Sequence, residues 1–173
     1  MIVVENGTGL NNSNSYVGTD YADTYFSNRG ITSWDSLTTP KKEYALIRST
    51  DYIDNIFQWN GKKLVVDQSL RFPRTEIYDY EGTLIEGIPE CLKQVICEAA
   101  LVLSQGTELF VVEEANGDVI SEKIGDLAFT YSKANRNNTE TFKTLYEMFN
   151  TRLRGLYKDY SNPNRIITGR TTK

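Results

Sequence analysis

The segment that follows Pro89 constrains the fold more than any other part of this chain. Leu92, Val95, Ile96, Ala99 and Leu103 recur there at spacings of three and four, which puts them on one stripe of a helix. Gly106 supplies the stop. This is the most apolar helical pattern in the sequence, so it is expected at the centre of a hydrophobic core. Cys91 and Cys97 lie in the same segment, six residues and about 9 Å apart along a helix axis. That separation is too great for a disulfide, and both are expected as buried structural thiols. A chain of 173 residues, 39% hydrophobic and 24% charged, is long enough and ordinary enough in composition to bury such a helix in one domain.

Three further helices are expected around it. The first runs from about Asp20 to Asn28, with Thr19 as N-cap, Tyr21, Tyr25 and Phe26 as its apolar stripe and Gly30 as its stop. The second opens with Thr39 as N-cap and Pro40 at the first helical position. Leu46, Thr50, Ile53 and Phe57 recur along it until Trp59-Asn60-Gly61 ends it. The last spans about Thr139 to Tyr160 and carries Phe142, Leu145, Tyr146, Phe149, Leu153, Leu156 and Tyr157. At 1.5 Å per residue it would be about 33 Å long.

Two stretches break the helical period. Residues 62–88 read as an irregular excursion, with Phe72 held extended by Pro73 and a turn over Tyr78-Asp79-Tyr80-Glu81-Gly82. Residues 109–133 read as a β excursion, a hairpin between Phe110-Val111-Val112 and Val119-Ile120 turning at Asn116-Gly117. A further extended stretch over Lys123–Tyr131 would follow it. The fold class expected is therefore mainly α: a four-helix bundle with a β-hairpin insertion over residues 1–161, then an extended C-terminal tail over residues 162–173.

Composition removes several functions. There is no histidine, so the commonest general base and the commonest transition-metal ligand are both missing. Neither a phosphate-binding loop, a nucleophile elbow nor a dinucleotide fingerprint is present, since Gly7-Thr8-Gly9 lacks the further glycine and helix that such loops need. Glu113, Glu114, Asp118, Asp51 and Asp54 are acids whose spacing fits solvated surface better than a metal or acid/base pair. No enzymatic activity, catalytic residue, metal or cofactor is expected. No apolar run approaches the length needed to span a bilayer, and the opening Met1-Ile2-Val3-Val4-Glu5 lacks the pattern of a signal peptide. The net charge of −4 disfavours a protein devoted to gripping phosphates.

One ordered set of short segments remains: Val4-Glu5-Asn6-Gly7-Thr8-Gly9-Leu10, Asn14-Ser15-Tyr16-Val17, Leu46 to Asp54, Trp59-Asn60-Gly61-Lys62, and Gln68-Ser69-Leu70-Arg71-Phe72-Pro73-Arg74. Together with Ile88-Pro89 and Ile124-Gly125-Asp126-Leu127, the set resembles the head–tail connectors, or adaptors, of tailed bacteriophages. Members of that family often carry the label DnaT-like ssDNA-binding protein. The resemblance implies a small helical structural protein of the virion, assembled in the host cytoplasm and located at the head–tail junction. It implies docking as a homo-oligomeric, dodecameric ring on the portal protein, joined to a neck or tail completion protein. Packaged double-stranded DNA would pass through its channel without specific binding, and no membrane would be involved.

Two groups of residues follow from these readings. The tail residues Arg165, Ile166, Ile167 and Arg170 are expected to dock on the portal, as a basic, partly apolar segment that orders on a partner. Under the alternative, a replication-associated ssDNA-binding protein, the contact patch would be Trp59 with Lys62, Lys63, Arg71 and Arg74, beside Phe72.

Overall fold

A computed structural model describes residues 1–79, 81–106, 119–124, 127–132 and 145–158. The chain is mainly helical, with α1 over Thr19–Ser27, α2 over Thr32–Asp35, α3 over Thr39–Ile56, α4 over Glu90–Ser104, and a fifth helix, α5, described over 145–152. Two short strands, β1 (Lys62–Lys63) and β2 (Arg74–Thr75), pair antiparallel. Two longer ones, β3 (Val119–Ile124) and β4 (Leu127–Ser132), form a separate antiparallel hairpin.

The apolar segment after Pro89 lies where its stripe places it. Leu92, Val95, Ile96, Cys97, Ala99 and Ala100 of α4 are all buried, and α4 packs along α3 through Ala45, Leu46 and Ile53. Small residues at 99 and 100 let the two helices approach closely. Phe149, Leu153 and Leu156 add a further buried set to the same core. Burial pushes the Cys97 thiol up to about 12, as expected of a structural cysteine. Cys91 is only half-buried, because it starts the helix and sits beside the exposed Glu90.

Polar contacts inside the helical layer fix how the elements meet. Asp23 of α1 accepts from the Trp34 indole N–H of α2 at 2.7 Å and from the buried Lys42 ammonium of α3 at 2.8 Å. One carboxylate therefore ties three helices, and it explains why a lysine tolerates burial. Tyr25 of α1 donates to Glu98 of α4 at 2.6 Å, and its ring lies beneath the Arg29 guanidinium, 3.5 Å from the centroid.

Several expectations need correction. Neither Thr19 nor Thr39 caps its helix: the caps are Gly18 and Thr38, neither makes a side-chain cap bond, and Pro40 falls one position later than expected. Helix α2 was not expected, since four residues carry too little pattern to register. The turn expected at Asn116-Gly117 lies outside the described residues, and the extended stretch expected over Lys123–Tyr131 is interrupted, since Ile124 pairs with Leu127. A glycine-led dipeptide such as Gly125-Asp126 is itself a hairpin signal. The strand expected at Phe110–Val112 lies outside the described residues, as do positions 139–144 of the last helix.

That last helix also stops early. It ends by Arg152, Gly155 takes a positive φ of 93°, and Tyr157 bridges antiparallel to Trp59. Bonds from Asn60 N–H to the Leu156 carbonyl and from Lys158 N–H to the Gln58 carbonyl hold this exit. The apolar spacing of Leu153, Leu156 and Tyr157 was real, but a turn and an extended pairing bury these residues instead.

Because Ile96 is fully buried at the α3–α4 contact, Ile96→Ala is expected to cost about 2–5 kcal/mol. Urea denaturation should show this as a lowered midpoint with an unchanged slope.

Candidate functional site, a polar-braced loop platform

The sequence segments that stood out by their order converge in space. The loop over 58–76 is held by the N-terminal arm on one side and by the end of α3 on the other. Its bracing is almost entirely side chain to backbone, which lets a loop with few ladder bonds hold one shape.

The arm is shaped first. Glu5 is buried, and its carboxylate accepts from the amides of Gly7 and Gly9 at 3.0 Å, from Leu10 at 2.9 Å, and from the Ser13 hydroxyl at 3.0 Å. The glycine-rich turn is thus a nest of amides already filled by an anion of its own chain. Gly9, at φ +83°, is pressed against Val65 and Gln68, where a Cβ would lie 2.9 Å from a Val65 methyl. Ser69 then joins arm to loop, through its N–H to the Leu10 carbonyl and its hydroxyl to the Ser13 carbonyl at 2.6 Å.

Deeper in, Tyr16 is almost wholly buried and donates to the Asp54 carboxylate at 2.8 Å, while its oxygen accepts from Phe72 N–H at 3.0 Å. Asp54 also accepts from Arg71 N–H at 3.0 Å. Burial raises the Asp54 carboxyl to about 6, against the lowering by these hydrogen bonds. Burial, with Asp54 beside it, holds the Tyr16 hydroxyl well above its ordinary value.

The loop braces itself as well. The buried Gln68 accepts from Val65 N–H and donates to the carbonyls of Leu70 and Pro73. The Arg74 guanidinium donates to the carbonyls of Asn60, Gly61 and Arg71. Asn60 in turn donates to the carbonyls of Gly155 and Tyr157, fastening the chain exit. Gly61 has no room for a side chain, because a Cβ there would sit 2.2 Å from the Thr75 carbonyl oxygen.

The nominated nucleic-acid residues all lie in this platform, in roles that are mostly internal. Trp59 is 6% exposed and packs edge-on against Phe72, which is 0% exposed, with ring centroids 4.9 Å apart. Phe57 and Tyr157 complete the cluster at 5.5 Å from Trp59 and 4.7 Å from Phe57 respectively. Lys62 pairs with Glu76 at 3.0 Å, and Lys63 donates to the Gln68 carbonyl. Arg74 is used as above, and Arg71 is exposed. The tail residues Arg165, Ile166, Ile167 and Arg170 lie outside the described residues.

What the platform displays is apolar. Leu64, Val65 and Val66 are exposed at its tip, Val66 at 90%. This triplet lies in the stretch expected to be irregular, where no periodicity marks which residues face solvent. The sequence reading placed Asp54 on the surface, and it gave Glu5 no role, for which an acid two residues before Gly-x-Gly was the available signal. Among the described residues no group of His, Cys, Asp and Glu could hold a metal, and no helix is long and apolar enough to cross a membrane.

Three outcomes are expected. Gly61→Ala should destabilise by more than about 2 kcal/mol, since a positive φ and a backbone clash coincide there. Tyr16→Phe should cost about 1–3 kcal/mol by leaving Phe72 N–H without its acceptor. The raised Asp54 carboxyl favours the protonated folded state, so its contribution is complete below the unfolded value near pH 4 and is lost as pH rises through about 6. Asp54→Asn should therefore flatten the fall in stability between pH 4 and 7, a span of roughly 3 kcal/mol. Chemical denaturation at a series of pH values reads all three.

No curated protein and no solved structure matches the chain. A family model matches residues 1–170, that is, nearly the whole sequence, and its description is "Putative DnaT-like ssDNA binding protein". The chain belongs to that DnaT-like family.

Proposed function

We propose that this protein is a structural virion component, a head-to-tail adaptor. In this reading it docks as a homo-oligomeric ring on the portal, extends the DNA channel and joins it to the neck or tail. The observation that carries the reading is how the 58–76 platform uses its residues. Its aromatic rings are packed inward and three of its four nominated cations are engaged within the platform, while a braced loop holds an apolar triplet in solvent. A preordered apolar tip serves contact between proteins, because little entropy is lost when it is covered. The net charge of −4 supports the same reading, since an acidic channel wall repels a duplex and lets it slide. The resemblance to phage connectors supplies the portal as partner and the particle as location. Nothing in this role calls for catalysis or a cofactor.

The second reading is ssDNA binding, and the description of the family favours it. On that reading Arg71 and side chains outside the described residues would make the contacts, since Trp59 and Phe72 are closed off.

Quantitative mass spectrometry of DNA-filled particles tests the adaptor role. A copy number equal to that of the portal is expected, and absence from the particle would overturn it. At residue level, Val66→Lys should leave the melting temperature within about 1–2 °C, as for a freely exposed position. The same change should weaken ring formation or portal association in sedimentation.

A further inference from the structure

Two charge-biased segments of the chain have opposite sign, and each carries an apolar pair. Between Arg74 and Lys93 there are five acids, Glu76, Asp79, Glu81, Glu86 and Glu90, and no lysine or arginine. Residues 162–173 hold three basic residues, Arg165, Arg170 and Lys173, and no acid.

The acidic segment is a small antiparallel turn. Ile85 N–H donates to the Ile77 carbonyl and Asp79 N–H to the Thr83 carbonyl, so Tyr78 and Leu84 face each other across the bridge between them. The Asp79 carboxylate fixes the apex by accepting from the amides of Glu81 and Thr83. Ile77 points into the core, whereas Tyr78 and Leu84 on the opposite face are 51% and 48% exposed. Glu76 is already paired with Lys62, but among the described residues Asp79, Glu81 and Glu86 form no ion pair. An exposed aromatic–aliphatic pair flanked by uncompensated carboxylates fits a basic, aliphatic peptide.

We infer that this acidic turn is the docking site for the chain's own C-terminal segment, with Ile166 and Ile167 covering Tyr78 and Leu84 and with Arg165 and Arg170 meeting the carboxylates of Glu81 and Glu86. The exit of the chain favours this occupant. Leu156 and Lys158 pair with residues 58–60, and Gly61, next in that segment, abuts the Thr75 carbonyl just before the turn. Residues 159–166, which would bring Ile166 to Tyr78, can span up to about 28 Å. Tethering at such short range gives an effective concentration in the millimolar range, so a weak complementary contact forms within one molecule. The docked tail covers a surface other than the Leu64–Val66 tip, and this contact competes with the portal docking expected of the same four tail residues.

The test is NMR on the full chain at low salt. Nuclear Overhauser contacts are expected from the Ile166 and Ile167 methyls to the Tyr78 ring, and they should fade as salt is raised towards 0.5 M. The double substitution R165E/R170E should abolish them, E81R/E86R should do the same, and the two pairs combined should restore them. All four substituted positions are away from the described core, so folding is retained. Sharp, random-coil methyl signals in the unaltered chain would overturn the inference, and so would contacts to a different surface. Contacts that vanish on dilution, with diffusion falling to that of a dimer at high concentration, would assign the tail to a second copy and overturn docking within one molecule.

Discussion

The hydroxyl of Tyr16 is the point on which the candidate site depends. It lies where the N-terminal arm, the end of α3 and the 58–76 loop meet, and it bonds to the Asp54 carboxylate and to Phe72 N–H at once. Asp54 then takes Arg71 N–H, so two consecutive amides of the loop are fixed by one buried pair. A carboxylate in that position is costly, as its raised value near 6 records, and it persists because the loop amides would otherwise be unsatisfied. Glu5 performs the same service for the arm, and Gln68, Asn60 and Arg74 for the loop and the chain exit. Few ladder bonds run through the region, and side chains supply many of its backbone partners.

This bracing explains why so many short, separated segments stand out in the sequence. Glu5, Gly9, Tyr16, Asp54, Asn60, Gly61, Gln68 and Arg74 are far apart along the chain and belong to one junction. Each answers a local demand: an acceptor for three amides, a missing Cβ, or a fork of donors for three carbonyls. The spacing pattern is therefore a signature of architecture, and it needs no ligand to account for it.

The helices were legible because burial writes a repeating pattern. The stripe Leu92-Val95-Ile96-Ala99 located α4 and its central place, and Leu46-Ile53 located α3. The end of α5 was not legible, since Leu153, Leu156 and Tyr157 keep an apolar spacing through a turn and into an extended pairing with Trp59. The β character of residues 119–132 was legible, but the break between Ile124 and Leu127 was not, because the stretch over Lys123–Tyr131 reads as one extended segment. Asp54 was misplaced for a simpler reason: its partners come from residues 16 and 71, and no local rule connects them. The platform residues were all singled out, and among the nominated contact residues Trp59, Lys63 and Arg74 brace the platform while Lys62 and Arg71 are exposed.

The adaptor reading therefore rests on a division of labour. Aromatic and cationic side chains organise the platform, and aliphatic ones are displayed. Titration of a fluorescent oligonucleotide with the purified full chain, repeated across a range of salt concentrations, tests that division most directly. The adaptor account predicts weak binding with a shallow dependence of log affinity on log salt. Tight binding that falls steeply with salt, by several phosphate contacts' worth, would contradict it and return the chain to the nucleic-acid role.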